Sequence, residues 1–427
     1  MTQRVAVIGS GIAGLSAAYH LRGQAEVTLY EAGSYFGGHT HTVDVTLPSA
    51  HGDVVHGVDT GFLVFNERTY PGLIDLLGQL HVATAPSDMS FSVQAPRALG
   101  QRAMEWSGSN LNTVFAQRSN LLSPTFMGML RDVLRFNALA NALAQSGEDQ
   151  ALAQPLGDFL AQHQFGPAFR DWYLLPMLGC IWSCPTDQML LFPVATMVRF
   201  CDNHGLIQVV NRPQWFTVAG GAKHYVEKIV PHIAHTRLNT PVVRIERHAS
   251  GVRVFTASGH EEFDQLVLAC HSDQSLALLA QPTEQERKLL GAIRYHPNRA
   301  VLHTDTSVMP KKKLAWAAWN YERAVDPSNE ARRVCLHYWI NRLQPLPFTQ
   351  DVVVSLNPVR PIDPSQVLGE YDYAHPVFDL TAIQAQRLLP SVQGQQRTWF
   401  AGAWMGYGFH EDGFKAGRDA AFGVLTA

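Results

Sequence analysis

Val5-Ala6-Val7-Ile8-Gly9-Ser10-Gly11-Ile12-Ala13-Gly14, near the start of the sequence, is a β-branched apolar run that leads directly into a G-x-G-x-x-G motif. The apolar run predicts a buried strand, and residues 15–21 predict the helix that follows it. A second strand, predicted over 26–31, ends in Glu31, about 20 residues after the motif. A strand, the glycine motif, a helix and a distal acid in this order form the fingerprint of a dinucleotide-binding unit.

Each glycine of the motif has its own physical reason. Gly9 permits the tight turn, Gly11 lets the backbone approach a pyrophosphate, and Gly14 lets the helix pack closely on the strand. The helix N-terminus contributes free N–H groups and a partial positive charge, which favour a phosphate. Glu31 can accept hydrogen bonds from both ribose hydroxyls and would repel a 2′-phosphate. The motif therefore predicts a dinucleotide other than NADP.

The composition limits the classes of protein that the chain can belong to. A length of 427 residues predicts two domains, or one domain with a large insert. The near balance of 33 basic and 36 acidic residues gives no reason to expect a nucleic-acid partner. We find no signal peptide and no apolar run of the ~20 residues that a membrane span needs. Five scattered cysteines indicate reduced thiols in the cytoplasm, with no disulfide framework and no metal site.

Three further segments with glycines follow the fingerprint. Gly37-Gly38-His39 comes soon after the second strand, and 58–62 contains an Asp-x-Gly turn. From Gly402 to Gly413-Phe414, a strand end leads through a loop punctuated by glycines into a helix predicted over 414–424. Together with the fingerprint, these segments resemble the flavoprotein superfamily of amine oxidases, phytoene-type desaturases and protoporphyrinogen oxidases. Within it, the predicted FAD-binding oxidoreductases are the most similar group.

The resemblance implies FAD as the cofactor, and it comes with two departures. His39 replaces the arginine of the superfamily's Gly-Gly-Arg, and Ala403 stands where many relatives have Asp or Glu. In relatives, the backbone matching Val243 lies against the adenine, and the helix after the C-terminal loop points its N-terminus at the isoalloxazine. The C-terminal loop contains no cysteine, so we expect FAD to be bound without a covalent link. The residues predicted to bind FAD are Gly9, Gly11, Ile12, Ala13, Gly14, Glu31, Gly38, His39, Val243, Gly402, Gly413 and Phe414.

The predicted fold class is α/β, with a discontinuous Rossmann-type FAD-binding domain and an α+β substrate domain that has a mixed sheet and helices. The FAD-binding domain is predicted to comprise 1–75, 205–280 and 390–427, and the substrate domain 76–204 and 281–389. Predicted strands of the later segments are 241–248, 251–257, 265–270, 299–303, 314–319, 334–340 and 352–356.

The C-terminal loop supplies the candidates for catalysis, because it must pass the flavin ring. They are Tyr407, His410 and Glu411. Each has a structural alternative: Tyr407 as part of a packed wall, His410 as a hydrogen-bonding group of the loop, and Glu411 as a capping acid.

The substrate is predicted from the densely apolar stretch 165–200, which is either the core of a helical insert or, in part, a pocket wall. A pocket favours an FAD-dependent desaturase or oxidase that takes a hydride equivalent from a C–H bond of a hydrophobic, lipid-like substrate. Two alternatives stay open. One is a flavin amine oxidase acting on a small amine, and the other is a protein that binds FAD without redox chemistry. A lipid-like substrate is compatible with peripheral contact between the protein and a membrane. The three lysines at 311–313 are most simply interpreted as a solvated turn.

Overall fold

The computed structural model describes residues 2–99, 102–146, 154–205, 213–324 and 334–427. Parts of the predicted domain ranges therefore lie outside the described residues, namely residue 1, 100–101, 147–153, 206–212 and 325–333.

Twenty strands are described, and they form five sheets. They are β1 Arg4–Ile8, β2 Glu26–Tyr30, β3 Thr42–Ser49, β4 Gly52–Asp59, β5 Phe65–Asn66, β6 Thr84–Ser87, β7 Phe91–Leu99, β8 Arg102–Ser107, β9 Trp215–Val218, β10 His235–Arg237, β11 Val242–His248, β12 Gly251–Thr256, β13 Gly259–Phe263, β14 Gln265–Leu268, β15 Arg294–His303, β16 Trp319–Glu322, β17 Cys335–Trp339, β18 Val353–Leu356, β19 Val367–Val377 and β20 Thr398–Phe400.

The described α-helices concentrate in the middle of the chain and at its C-terminus. They are α1 Ile12–Leu21, α2 Pro71–Gln79, α3 Leu111–Val114, α4 Pro124–Ser146, α5 Leu156–Gln162, α6 Pro167–Phe169, α7 Leu175–Trp182, α8 Thr186–Met189, α9 Val194–Asn203, α10 Lys223–Ile229, α11 Ser272–Leu278, α12 Glu284–Leu290, α13 Ile340–Leu343, α14 Leu380–Leu388 and α15 His410–Thr426. A π-helical turn, Arg170–Leu174, joins α6 to α7.

A five-stranded parallel sheet contains the fingerprint, in the order β10-β2-β1-β14-β20. Its strands come from the N-terminus, from 235–268 and from 398–400, so the chain leaves this sheet twice and returns. Side chains alternate across β1: Val5 and Val7 face the core that contains α1 and α15, whereas Ala6 and Ile8 face the opposite core. This confirms the predicted α/β fold with a discontinuous Rossmann-type unit.

A seven-stranded mixed sheet forms the second unit, in the order β19-β15-β18-β17-β16-β7-β8. All its neighbouring strands are antiparallel except β16 and β7, which are parallel. The helices from α4 to α9 share a hydrophobic core with it, and most apolar side chains of 165–200 are buried there. That stretch therefore belongs mainly to the core of the helical insert, and a minority of its residues lie on a cavity wall.

The predicted domain boundaries stay a prediction, and the packing suggests one adjustment. Helices α12 and α14, which lie in the range predicted for the substrate domain, pack with β11–β13 against the parallel sheet. We therefore place residues 284–293 and 380–392 with the FAD-binding unit.

Some predicted elements are wrong in place or extent. Residues 314–319 were predicted as a strand, but a 3-10 turn at Lys313–Ala315 precedes β16. The Trp316 indole N–H bonds to the carbonyl of Pro310, which closes that turn. Strand β13 had no prediction, and α15 begins at His410 instead of 414.

Two findings concern the whole of the described chain. None of its helices is both long and apolar enough to cross a bilayer. All five cysteines are free thiols, and only Cys270 among them is not fully buried.

Candidate FAD and substrate site

One large cavity, about 690 Å³, lies between the parallel sheet and the seven-stranded sheet. It begins at the carboxyl ends of β1 and β2, where ligands bind in open α/β sheets. It then passes the C-terminal loop and ends among aromatic side chains from α9, from β9 and from the segments just before α2 and α15. We call the first part the dinucleotide end and the second part the aromatic pocket, the latter being defined by Tyr70, Phe200, His204, Trp215 and Phe409.

At the dinucleotide end, Glu31 ties the fingerprint turn together. Its Oε2 accepts hydrogen bonds from the Ser10 amide at 3.0 Å and the Ser10 hydroxyl at 2.5 Å. Its Oε1 accepts one from the Gly33 amide at 2.7 Å. The Ser10 hydroxyl oxygen also accepts a hydrogen bond from Gly37 at 3.1 Å. The two glycine segments are thus joined through one serine and one carboxylate.

The glycines of these segments differ in what surrounds them. A Cβ at Gly11 would meet nothing within 4 Å, so the turn offers bare backbone to the cavity. Gly38, at a φ of +59°, faces Gly11, because its Cβ would lie 3.1 Å from the Gly11 Cα. Gly14 does not line the cavity, and a Cβ there would overlap the Gly9 carbonyl oxygen. Gly11 and Gly38 thus form a cradle that side chains would fill, as a pyrophosphate requires.

The N-terminus of α1 completes this cradle. Ile12 and Ala13 line the cavity in the first turn, where backbone N–H groups have no partner within the helix. The positive end of the helix dipole therefore faces the cradle.

His39 lies on the cavity wall and has an unpartnered polar atom. Its buried Nε2 has no hydrogen-bond partner in the protein. The ring lies 5.0 Å from that of Tyr373 and 5.4 Å from that of His375. Buried polar atoms are almost always hydrogen-bonded in folded proteins. An orphaned nitrogen on a cavity wall fits a bound polar group, and an extended dinucleotide provides several.

The C-terminal loop crosses the middle of the cavity. Gly402 and Ala403 line it, and the Trp404 indole N–H bonds to the Cys270 carbonyl at 3.1 Å. The Asp412 carboxylate accepts the amides of Tyr407 and Phe409, each at 3.0 Å, which fixes the loop just before α15.

Two residues predicted to bind FAD pack behind the cavity. Gly413 lies against α1, because a Cβ there would come within 2.7 Å of the Ile12 side chain. Phe414 is buried, and its carbonyl accepts the Ser16 hydroxyl at 2.8 Å. Both hold α15 on α1 and do not line the cavity.

The backbone contact of Val243 with the adenine stays a prediction, and its side chain does not line the cavity. Val242 lines the cavity, whereas the Val243 side chain is 59% exposed. The register of β11 with β12 shifts between Val242 and Arg244, so Val243 lies in a bulge. The bulge turns the side chain of Val243 outwards, and valine alone gave no signal of it.

Of the three candidates for catalysis, only His410 lines the cavity. Its ring stacks on Phe62 with a centroid distance of 3.7 Å. Its Nε2 lies 2.9 Å from the Thr40 hydroxyl and 3.0 Å from the Tyr225 hydroxyl. The His410 ring is therefore held rigidly at the N-terminus of α15.

Neither Tyr407 nor Glu411 lines the cavity, and the Tyr407 ring lies 6.1 Å from the ring of Phe200, a residue of the aromatic pocket. The Tyr407 carbonyl accepts the Trp182 indole N–H at 3.2 Å. The two carboxylate oxygens of Glu411 accept the amides of Gly72 and Leu73 at 3.0 and 2.9 Å, which caps α2. Glu411 thus caps α2 and not the helix that begins near Gly413, which was its predicted structural alternative, and its geometry does not support catalysis.

The aromatic pocket was not predicted residue by residue. The His204 ring stacks on Phe200 at 3.9 Å and faces Trp215 at 6.2 Å. Phe409 stacks on Phe200 at 4.8 Å and also lies 5.7 Å from the His204 ring. Aliphatic side chains extend the pocket wall, namely Leu63, Val64, Met89 and Ile181. These residues come from segments far apart in the chain, so no local pattern announced them.

The cavity wall is almost free of charge. Its ionisable carboxylate and imidazole side chains are Glu31, His39, His204, His271, His375 and His410, and it has no lysine or arginine among the described residues. Burial lowers the pKa of His39 and of His204 to about 4. Burial also lowers the pKa of His375 and of His410 to about 3. These imidazoles are therefore neutral at physiological pH, and the one charge lies at the dinucleotide end.

A separate buried cluster lies inside the seven-stranded sheet, where ligand atoms of Glu322, Cys335 and His337 are within 4.8 Å of one another. The Glu322 carboxylate accepts hydrogen bonds from His337 Nε2 at 2.9 Å and from Arg360 Nη2 at 3.1 Å. Burial raises the pKa of the Cys335 thiol well above its usual value. A carboxylate already paired with a guanidinium and a protonated thiol make this a structural ion-pair network.

Comparisons with known proteins identify the family. The model of the family described as flavin containing amine oxidoreductase matches residues 12–425. AofH of Mycobacterium tuberculosis, provisionally named as a flavin-containing monoamine oxidase, is 25% identical over 295 residues. That match covers 66% of this chain and 60% of AofH, which is less than two thirds of the relative's length.

Solved structures share the fold over the whole chain. Cyclohexylamine oxidase from Brevibacterium oxydans is 16% identical with a TM-score of 0.68, over 100% of this chain and 99% of that one. The CLA-producing fatty acid isomerase from P. acnes is 16% identical with a TM-score of 0.66, over 98% and 97%. The predicted superfamily and the FAD cofactor are confirmed by the family match. The chain belongs to the family of flavin-containing amine oxidoreductases.

Proposed function

We propose that the protein is an FAD-dependent oxidoreductase that removes a hydride equivalent from a C–H bond of an uncharged, hydrophobic, lipid-like substrate. When bound, FAD supplies the two-electron acceptor. The proposal is carried by the lack of charge on the wall of the aromatic pocket. A buried ammonium or carboxylate without a counter-ion costs several kcal/mol, whereas apolar groups gain from burial.

For the cofactor, we propose that the dinucleotide lies along the fingerprint turn, with Glu31 at the ribose and Gly11 and Gly38 under the pyrophosphate. His39 Nε2 and the N-terminus of α1 supply further hydrogen bonds. Gly413 and Phe414 support this site from behind. The isoalloxazine then lies near Gly402 and His410, next to the aromatic pocket.

His410 is proposed as a positioning residue of this site. Its neutral ring is fixed by Thr40, Tyr225 and Phe62, so it can shape the wall beside the flavin without delivering a charge. No other described group in the wall stands out as an acid or base.

A flavin amine oxidase is the second candidate, and two observations favour it. The aromatic pocket resembles a box that would enclose a small neutral amine, and the relatives AofH and cyclohexylamine oxidase carry amine-oxidase names. Against it, no lysine lines the described cavity, and no carboxylate lies in the pocket to bind a second ammonium.

The first prediction separates cofactor binding from folding. A Cβ is free at Gly11 and blocked at Gly14. Gly11→Val should fold as the apoprotein but purify without FAD, because its side chain occupies the pyrophosphate position. Gly14→Val should lower the free energy of unfolding by ~1–3 kcal/mol or more. Flavin content and urea unfolding measure the two effects, and full FAD occupancy in Gly11→Val would contradict the proposed site.

The second prediction concerns Glu31. Glu31→Gln keeps the shape but loses the charge-assisted bonds to the ribose, and its amide faces the N–H groups of Ser10 or Gly33. FAD binding should weaken by ~1.5–3 kcal/mol, as measured by calorimetric titration of the apoprotein. The control is Glu26→Gln at the start of β2, the strand that Glu31 follows, where the carboxylate bonds to His235 at the surface. Equal FAD affinity of Glu31→Gln and Glu26→Gln would exclude the ribose role.

The third prediction is that FAD is held without a covalent bond. Cys180 and Cys270 are the cysteines that line the cavity, and burial raises the pKa of both thiols, that of Cys270 to about 11. Protonated thiols are poor nucleophiles. Acid precipitation should therefore release the flavin into the supernatant. Yellow colour in the pellet would contradict this, and Cys180→Ser would then show whether that thiol is the attachment point.

The fourth prediction tests the substrate. Each buried methylene contributes ~0.8 kcal/mol, so a long chain outweighs a single polar contact of a small amine. A long-chain unsaturated or methyl-branched acyl compound, or an isoprenoid, should abolish the flavin absorbance anaerobically and gain one double bond. Reoxidation then needs oxygen or a quinone. Primary amines and polyamines should leave the flavin oxidised.

Each other outcome of that experiment has its own meaning. Rapid loss of absorbance with a small amine, and none with lipids, would establish the amine oxidase instead. No loss with either class, with FAD bound, would leave a protein that binds FAD without redox chemistry.

A further inference from the structure

Exposed leucines gather beside strand β8, on the edge of the seven-stranded sheet. Leu111 in α3 is 79% exposed, and Leu121 and Leu122 in the 3-10 turn at Arg118–Leu122 are 51% and 88% exposed. Leu314, which follows the three lysines at 311–313, is 41% exposed. Single exposed leucines are ordinary, but four in adjoining turns form an apolar surface that needs an explanation.

Hydrogen bonds to β8 hold these turns together. The buried carboxylate of Glu105 accepts the amide of Lys311 at 2.9 Å and that of Lys312 at 2.8 Å. The Gln117 side chain accepts the Glu105 amide at 3.0 Å and donates to the Ala103 carbonyl at 3.0 Å. Helix α3 packs against the turn that contains Leu314. The leucines and lysines thus belong to one preformed surface, which we call the leucine–lysine surface.

The charge of this surface has one sign. The exposed cations of 102–122 and 306–316 are Arg102, Arg118, Lys311, Lys312 and Lys313. The single acid in these two segments is Glu105, which is buried beneath the lysine turn. Exposed leucines that share these two segments with five exposed cations and no exposed acid match the interface of a bilayer that contains anionic lipids.

We propose that the leucine–lysine surface binds the protein to anionic lipid bilayers. The leucines enter the boundary between headgroups and acyl chains, and the lysines contact the lipid phosphates. Strand β8 pairs with β7, and β7 pairs with β16, whose Trp319 lines the substrate cavity. The surface therefore lies on the same sheet as the cavity wall. Its biological purpose, access to a lipid-like substrate, rests on the proposed function, but the binding itself does not.

The test is sedimentation of the FAD-loaded protein with vesicles, which requires no turnover. Vesicles of phosphatidylcholine with phosphatidylglycerol should carry the protein into the pellet, and pure phosphatidylcholine vesicles should carry far less. Raising the ionic strength should release it, because salt screens the lysines. A failure of the substrate experiment would leave this result unaffected, so the two proposals can fail separately.

Two variants separate the charge from the apolar contribution. Lys311→Gln, Lys312→Gln and Lys313→Gln combined should weaken binding to anionic vesicles by roughly fivefold per lysine at low ionic strength. Leu121→Ser with Leu122→Ser should weaken it by about tenfold or more. The controls are Lys288→Gln and Leu388→Ser, which remove an exposed lysine and an exposed leucine from α12 and α14. FAD content and thermal unfolding should be unchanged in all variants.

Several results would overturn the proposal. They are no sedimentation with anionic vesicles, equal sedimentation with both vesicle types, and losses in the control variants as large as in the surface variants. Sedimentation velocity tests whether the leucine–lysine surface binds a second copy of the chain or an acidic protein instead. A dimer that Leu121→Ser with Leu122→Ser dissociates, with no vesicle binding, would make the surface an interface between copies. A stable complex with an acidic protein, again without vesicle binding, would make it a protein-docking surface.

Discussion

The close approach of the first and last helices is the constraint on which the cofactor site depends. A Cβ at Gly413 would crowd the Ile12 side chain, and a Cβ at Gly417 would overlap the Ala13 carbonyl, so α1 and α15 meet at the distance that glycine permits. This contact fixes the fingerprint turn at one end of the cavity and the C-terminal loop at its middle. Two segments about 400 residues apart in the sequence, as 12–21 and 410–426 are, become one rigid wall. Because the contact between α1 and α15 fixes the cofactor site, the substrate unit can be inserted between these helices in the sequence without displacing the cofactor.

The substrate side follows a different physical rule. Its wall is made of aromatic and aliphatic side chains and of imidazoles that burial keeps neutral, so it excludes ions by cost instead of selecting them by pairing. The ionised groups of the second unit lie elsewhere. The Glu322 carboxylate is hydrogen-bonded by His337 and Arg360 within the sheet. The Glu105 carboxylate is hydrogen-bonded by the backbone of the lysine turn. Replacing Arg360 would leave the buried Glu322 carboxylate without its guanidinium partner, so this network preserves the sheet that carries the pocket.

The sequence was sufficient for the parts that depend on backbone, and insufficient for those that depend on side chains from distant segments. Gly9, Gly11 and Gly14 predicted a turn and a helix because the requirement for glycine is local. Glu31 was predictable because its distance from the motif is set by one helix and one strand. His204, Trp215 and Phe409 were not predictable, because ordinary apolar positions become a pocket only after three segments meet. Glu411 illustrates the reverse error: an acid on the expected loop serves to cap α2, a partner more than 300 residues away in the chain.

These two rules explain how one fold can serve different substrates. The cofactor site is built from glycine contacts and backbone hydrogen bonds, so few substitutions are compatible with it. The aromatic pocket is built from side chains that can be exchanged for others of similar volume at modest cost. Solved structures with 14–16% identity accordingly share this fold while their names place them with amines, a fatty acid or a porphyrinogen. The fold therefore cannot decide the substrate of this chain. The proposed choice of substrate therefore rests on the electrostatics of the pocket wall, where no described lysine, arginine or carboxylate offers a counter-ion to a charged group.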